Sequence, residues 1–369
     1  MKKIIGQPNL LKRMNSEEIE SIIAEKGPIS KPELSKLSGL SLPTVNKLVL
    51  ALENEEKVKA VGLMGQGAGR KATVYVSNNQ SGNYLIMYYQ NDNFICSITD
   101  MSGEEQHRYE QKFTPDKNNV VETLFEIVNL GFSHCESEVK AIGVGVPGVV
   151  KEDGVITNIP NIPELEGINL KALFEEHYKI PTFVENDIKL TAVGYYHSNC
   201  KDKYKDMIYV YIGKGLGSGI IINKKLHKGP SSFAGEFGYM LMASGISEEG
   251  SGLKRTNLEE QIISYEQKKQ TTFDEDEIKV IDKKMSQLIM TSVINMICIL
   301  NPEVVVIGGE IMNETIFSNV EKNIAEYISE DNRPVMKYDM ACTSGIEGAK
   351  NMCISNISSS FRVVRESGV

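Results

Sequence analysis

No apolar run in this sequence approaches the roughly 20 residues that a helix needs to cross a bilayer. The start of the chain, Met1-Lys-Lys-Ile-Ile followed at once by Gly6-Gln-Pro-Asn, lacks the apolar core of a secretory signal. Both absences predict a cytoplasmic protein with no membrane partner. Six cysteines, Cys96, Cys135, Cys200, Cys298, Cys342 and Cys353, show no paired metal-ligand spacing, so they read as buried thiols in a reducing compartment and argue for neither zinc nor disulfides. What the chain does have is length: 369 residues, 41% of them hydrophobic, are too many for one ordinary core and imply two or three domains.

Positive charge is scarce overall, with 40 Lys+Arg against 49 Asp+Glu, but not at the N-terminus. Residues 1–77 hold 12 against 8, a net +4; the whole chain is −9, so residues 78–369 carry −13. That asymmetry suggests a small nucleic-acid-binding module fused to a larger acidic domain, a merely solvated basic face being the alternative on charge alone. The local pattern decides between them. Asn15 to Lys26 reads as a capped helix with Ile19, Ile22 and Ile23 on one face, ended by Gly27-Pro28. Ser30 then caps a short helix with Pro32 in its first turn, Ser38-Gly39-Leu40 makes a tight turn, and Ser41 caps a second helix with Pro43 in its first turn. This is a helix-turn-helix pattern, with Leu34, Leu37, Leu40, Val45, Leu48 and Val49 as its expected core. Ser41, Leu42, Thr44, Asn46 and Lys47, at the start of the second helix, are placed to meet base edges and phosphates of double-stranded DNA. Val58 to Val76 reads as two strands around a glycine-rich loop, a wing on which Arg70 and Lys71 would enter a minor groove or clasp phosphates. Ser77-Asn-Asn-Gln-Ser-Gly82 marks the domain boundary.

From Tyr84 onward strands alternate with helices, which predicts an α/β domain with ligand groups at strand C-termini. At its centre, two β-branched runs, Ile208–Ile212 and Ile220–Ile222, flank a turn carrying Gly213, Gly215, Gly217 and Gly219. So dense a set of glycines lets backbone N–H groups face an anion, although a tight hairpin without a ligand has the same pattern. Beyond it, Glu236 sits between Gly235 and Gly238, where a carboxylate can accept hydrogen bonds from sugar hydroxyls. Asn161, the trio Glu185-Asn186-Asp187 and Glu259 fall in comparable loops. Each alone also reads as a helix cap or a solvated acid.

Taken in order, several motifs resemble the ROK family of repressors and sugar kinases, within the actin-like ATPase fold. They are Ala141-Ile-Gly-Val-Gly-Val-Pro-Gly, Asn158-Ile-Pro-Asn-Ile, Val184-Glu-Asn-Asp187, Ile212-Gly-Lys-Gly-Leu-Gly-Ser-Gly, Ala234-Gly-Glu-Phe-Gly-Tyr and Asn301-Pro-Glu-Val-Val-Val-Ile-Gly-Gly. The resemblance implies an N-terminal winged helix-turn-helix over residues 1–77 and a two-lobed, sugar-kinase-like sensor and oligomerisation domain over 78–369. It implies sugar binding by Asn161, Asn186, Asp187, Glu236 and Glu259, while Tyr239, where the family has a His, offers a hydroxyl and an aromatic face to a pyranose. Departures from the family narrow this. Where its kinases carry an Asp-x-Gly-Gly-Thr phosphate loop, this chain has Met87-Tyr-Tyr-Gln-Asn91, and without that loop phosphoryl transfer loses its main electrostatic stabilisation. Asp187 is then a vestigial kinase base rather than a working one. The family's zinc ligands are replaced by Tyr239, Gly250, Gly252 and Asn257, so no zinc and no other cofactor is expected. The expectation is a non-enzymatic repressor of carbohydrate-metabolism genes, a homodimer or homotetramer that binds a palindromic operator and answers to a sugar or sugar-phosphate effector. Its rivals are a sugar kinase with an appended DNA-binding domain, and a DNA-binding protein whose sensor serves only for oligomerisation.

Overall fold

A computed structural model describes residues 8–64, 72–116, 118–159, 162–249 and 252–363. The chain opens with α1 (Pro8–Lys26), β1 (Ile29–Ser30), α2 (Lys31–Ser38), α3 (Leu42–Asn54), β2 (Val58–Met64) and β3 (Ala72–Ser77). Proline fits a first helical turn, and α1 starts at Pro8, so the cap expected at Asn15 lies within the helix. The other caps are where the sequence puts them. Ser30 and Glu33 form a reciprocal capping box at α2, Gly39 closes that helix with φ +69°, and the Ser41 hydroxyl accepts from Thr44 N–H at α3. Ile19, Ile23, Leu34, Val45, Leu48, Val49, Leu52 and Tyr75 form the core, with Leu40 packed against its edge. Leu37 does not join them. It lies about 60° around α2 from Leu34 and is 48% exposed, because an eight-residue helix presents only one narrow face to α1 and α3. Strands β2 and β3 pair antiparallel as the wing, and β1 adds to β3.

The rest of the chain builds two five-stranded sheets. The first uses β4 (Asn83–Gln90), β5 (Asn93–Asp100), β6 (Glu105–Lys112), α4 (Val120–Ser133), β7 (Val139–Val146), β8 (Val149–Val150), β9 (Ile156–Thr157), α5 (Leu170–Tyr178), β10 (Thr182–Asn186) and α6 (Asp187–Asn199). The second uses β11 (Met207–Ile212), β12 (Leu216–Ile222), β13 (Lys225–Leu226), β14 (Leu241–Glu249), β15 (Gly252–Asn257), α7 (Leu258–Thr271), α8 (Glu275–Leu300), β16 (Val304–Gly308), α9 (Glu314–Tyr327), β17 (Val335–Asp339) and α10 (Gly345–Val363). Their strand orders correspond: β6-β5-β4-β7-β10 in one and β13-β12-β11-β16-β17 in the other. In each, three consecutive strands are followed by two added across helical connections, so the domain is built on one plan used twice.

Side-chain alternation places the layers of the second sheet. Ile208, Val210 and Ile212 face the cluster built with α8 and α9, whereas Met207 and Tyr209 face the cluster that includes Ala192 and Tyr196 of α6. The glycine-rich turn is shorter than the sequence suggests. Only Gly213-Lys214-Gly215 connects β11 to β12, since Leu216 already pairs with Ile212 and Gly217 with Tyr211. Gly217 and Gly219 are strand residues, and they are small because α6 lies on them: a Cβ on Gly219 would sit 2.1 Å from that of Ala192. By contact, the chain groups into one unit of Met1–Tyr84 with Ile98–His107 and Phe132–Lys140, and a second unit holding the remainder. Among the described residues no helix is long and apolar enough to cross a membrane.

Candidate functional site

Helix α3 turns Val45, Leu48, Val49 and Leu52 inward, and the same 3.6-residue period turns the intervening residues out. Ser41, Leu42, Asn46 and Lys47 are exposed and Thr44 is half-buried, its hydroxyl 2.8 Å from that of Ser41. These side chains make one continuous surface at the helix start. Arg70 and Lys71 lie outside the described residues.

The second site forms where β10 ends and α6 begins. Asn186 caps α6, its Oδ1 accepting from Lys189 N–H at 2.9 Å while its Nδ2 donates to the Gly148 carbonyl at 2.8 Å. Asp187 follows as the first helical residue, with Oδ1 accepting from Ile188 N–H at 2.8 Å and Asn186 Nδ2 at 3.1 Å. Burial pushes its carboxyl up to about 6; backbone N–H groups offset part of that, and the charges of Glu236 and Glu310 add to it.

Lys189, two residues on, was not singled out from the sequence, and its side chain is 1% exposed. Its ammonium donates to the Ser232 carbonyl and lies 3.8 Å from Glu236 Oε1. Burial pulls its pKa down, against the opposing pull of Glu236 and Glu185. Glu236 is pushed up by burial and held back by Lys189. Beside them Glu185, also buried, pairs with Lys228 at 3.0 Å. The sequence carries no local signal for Lys189: α6 also buries Leu190, Thr191, Ala192, Gly194 and Tyr196, so Lys189 is enclosed by tertiary packing rather than by a single apolar stripe.

The remaining predicted residues are distributed around this floor. Glu259 directs one carboxylate oxygen to Leu216 N–H at 2.9 Å, bracing the start of β12. Tyr239 donates its hydroxyl to Asn158 Oδ1 at 2.7 Å, and its ring lies 5.3 Å from that of Phe233. Asn161 lies outside the described residues. The family's zinc does not fit the groups found here. Tyr239 is bonded to Asn158, the Asn257 side chain caps α7, and neither Tyr239, Asn257 nor Gly252 offers sulfur or imidazole. Gly250 lies outside the described residues. Among the described residues no three His, Cys, Asp or Glu side chains are grouped to hold a metal ion.

Met87 to Gln90 is strand rather than loop, followed by a two-residue turn with Asn91 and Asp92 at φ +51° and +61°. Tyr88 fills the space beneath Asp187. Its hydroxyl donates to the Asp187 carbonyl at 3.3 Å and lies 3.0 Å from Thr191 Oγ1, and its ring is seated against Gly145 and Gly345. Glu310, bonded to the Tyr211 hydroxyl, lies over Gly213, where a Cβ would fall 2.1 Å from Oε2. A carboxylate therefore lies over Gly213, in the turn whose glycines suggest an anion cradle.

The ROK family profile matches residues 91–353, and a winged helix-turn-helix DNA-binding profile matches residues 18–59. The chain belongs to the ROK family. It is 29% identical over 243 residues to the xylose repressor of Bacillus subtilis, covering 64% of this chain and 62% of that one. It is 26% identical over 245 residues to an N-acetylglucosamine repressor of Escherichia coli, covering 64% and 59%. The chain thus spans about three fifths of the length of the curated relatives it matches. Among solved structures, a ROK family transcriptional regulator, homologous to the E. coli MLC protein, aligns over 96% of this chain and 99% of its own, with TM-score 0.75 and 20% identity. A ROK glucokinase from Streptomyces griseus, in complex with glucose and AMPPNP, covers 73% of this chain and 99% of its own, with TM-score 0.59 and 18% identity. These likenesses establish the shared fold.

Proposed function

We propose that this chain is a transcriptional repressor of carbohydrate-metabolism genes, binding a double-stranded operator through α3 and the wing and answering to a small carbohydrate held beside Asn186, Asp187 and Glu236. The observation that carries the reading is the pairing, in one chain, of a winged helix-turn-helix whose α3 exposes Leu42, Asn46 and Lys47 with a ROK domain. The named repressors among its relatives support it. A homodimer or homotetramer would set two recognition helices at the spacing of a palindromic operator, and closure of the cleft around a sugar would shift that spacing. The test is fluorescence anisotropy of the full chain on DNA from its own upstream region, with and without a panel of D-xylose, D-glucose and N-acetyl-D-glucosamine. Specific binding that weakens with rising salt and changes with one of the sugars is expected; no DNA binding, or binding indifferent to salt, refutes it.

Asp187 favours a second reading, a sugar kinase with an appended DNA-binding domain, because a carboxyl near 6 at a helix start is suited to accept a proton from a sugar hydroxyl. An ATP-consumption assay over the same sugars separates the two. Turnover abolished by Asp187→Asn establishes the kinase; none is expected, since Met87-Tyr-Tyr-Gln-Asn91 stands where the family's kinases carry their phosphate loop.

A further inference from the structure

Two devices that proteins use to hold a phosphate meet in this cleft, a glycine-rich turn and a helix N-terminus. In both, some of the backbone donors already face oxygens of the chain itself. At the turn, Gly213 N–H donates to the Gly215 carbonyl at 3.1 Å, and in β12 just beyond it Leu216 N–H donates to Glu259 at 2.9 Å and Ser218 N–H to the Gly235 carbonyl at 2.7 Å. At the start of α6, Ile188 N–H donates to Asp187 and Lys189 N–H to Asn186. An incoming phosphate has to displace these bonds, two of which end on carboxylates.

Charge works in the same direction. Glu185, Asp187, Glu236, Glu259 and Glu310 are set against Lys189, Lys214 and Lys228. Lys228 pairs with Glu185, Lys189 is held by Ser232 and Glu236, and Lys214 reaches Asn91 at 3.5 Å. Sugar hydroxyls are donors and suit such acceptors, whereas a phosphate meets like charge, partly buried at Asp187, Glu236 and Glu259 and exposed at Glu310. Phe233 and Tyr239, each 46% exposed, add aromatic faces of the kind that pack on the C–H side of a pyranose.

We infer that the ligand of this cleft is an uncharged sugar and that its phosphate ester is rejected. This rests on the sensor reading proposed above and narrows it. Isothermal titration calorimetry of the full chain with D-xylose, D-glucose, N-acetyl-D-glucosamine and the terminal phosphate ester of each tests it. One of the free sugars is expected to bind, with its ester weaker by about tenfold or more. Glu310→Gln keeps an acceptor for the Tyr211 hydroxyl while removing the charge, and is expected to narrow that gap. An ester that binds as tightly as its parent sugar, or a gap that Glu310→Gln leaves unchanged, overturns the inference while leaving the sugar-sensor reading standing. Failure of every sugar and every ester to bind overturns both.

Discussion

Replacing Lys189 by methionine removes a buried cation while keeping much of its volume. The change deletes a charged hydrogen bond to the Ser232 carbonyl, of a kind that contributes about 1.5–3 kcal/mol. It also leaves Glu236, only 14% exposed at its side chain, without its counter-charge. Against this, the variant no longer has to desolvate an ammonium, the effect that lowers the lysine pKa. The balance is a loss of about 1–3 kcal/mol, and its pH dependence identifies the cause. Lys189 holds the Glu236 pKa down against burial; without it, the folded-state pKa of Glu236 rises further above the unfolded 4.5. A carboxyl raised in the folded state loses stability as pH climbs through that raised value, so the deficit of Lys189→Met is larger at pH 8 than at pH 5. Thermal unfolding of the full chain at the two pH values measures it, at about 2–4 °C per kcal/mol for a domain of this size. Adding Glu236→Gln removes the stranded charge and recovers part of the loss at pH 8. Equal deficits at both pH values, together with no recovery in the double variant, would refute the coupling between Lys189 and Glu236.

Three further outcomes are expected. Lys47→Ala weakens DNA binding across sequences and reduces the salt slope by about one unit, whereas Asn46→Ala costs about 1–3 kcal/mol on the cognate site alone; anisotropy titrations at several salt concentrations distinguish them. Asp187, with its folded carboxyl near 6 against an ordinary 3.8, contributes stability below pH 4 that is lost as pH rises through 6. Asp187→Asn, which can still accept from Ile188 N–H, should therefore gain on the native chain across that window by about 2 kcal/mol once partial exposure is allowed for, and unfolding midpoints at pH 4 and 7 that move in parallel would contradict this. Gly219→Ala forces a Cβ to within 2.1 Å of Ala192, so overpacking should lower stability by about 1–3 kcal/mol in the same assay, with no effect on isolated operator contacts.

The helix-turn-helix was legible because its signals are local: a serine before each helix, a proline in each first turn, a glycine between them. The alternation of strands and helices, the amphipathic run Glu275–Leu300 and the strand at Val304 were legible for the same reason. The edge of the glycine-rich turn was not. Gly217 and Gly219 answer to the approach of α6 rather than to a ligand, a tertiary demand that leaves no mark distinguishing it from a turn. Leu37 counts as core by composition and is exposed by the shortness of α2. In the cleft, Asp187 and Glu236 stood out as polar residues in strand-end loops. Tyr88, Lys189 and Glu310 did not, since each matters through what it lies against: two glycines, a carbonyl with a carboxylate, and a tyrosine over Gly213.

The twofold use of one sheet plan brings corresponding turns of the two repeats together. The turn at Asn91-Asp92 and the turn at Gly213-Lys214-Gly215 occupy equivalent places in the two sheets, each joining the first strand of its repeat to the second. They meet tip to tip, with Lys214 reaching Asn91 at 3.5 Å. The two turns are thus the tips of corresponding hairpins, one in each repeat, joined through a side-chain hydrogen bond. A substitution in either turn therefore bears on both repeats, because Lys214 and Asn91 each lie at the tip of the hairpin that the other touches.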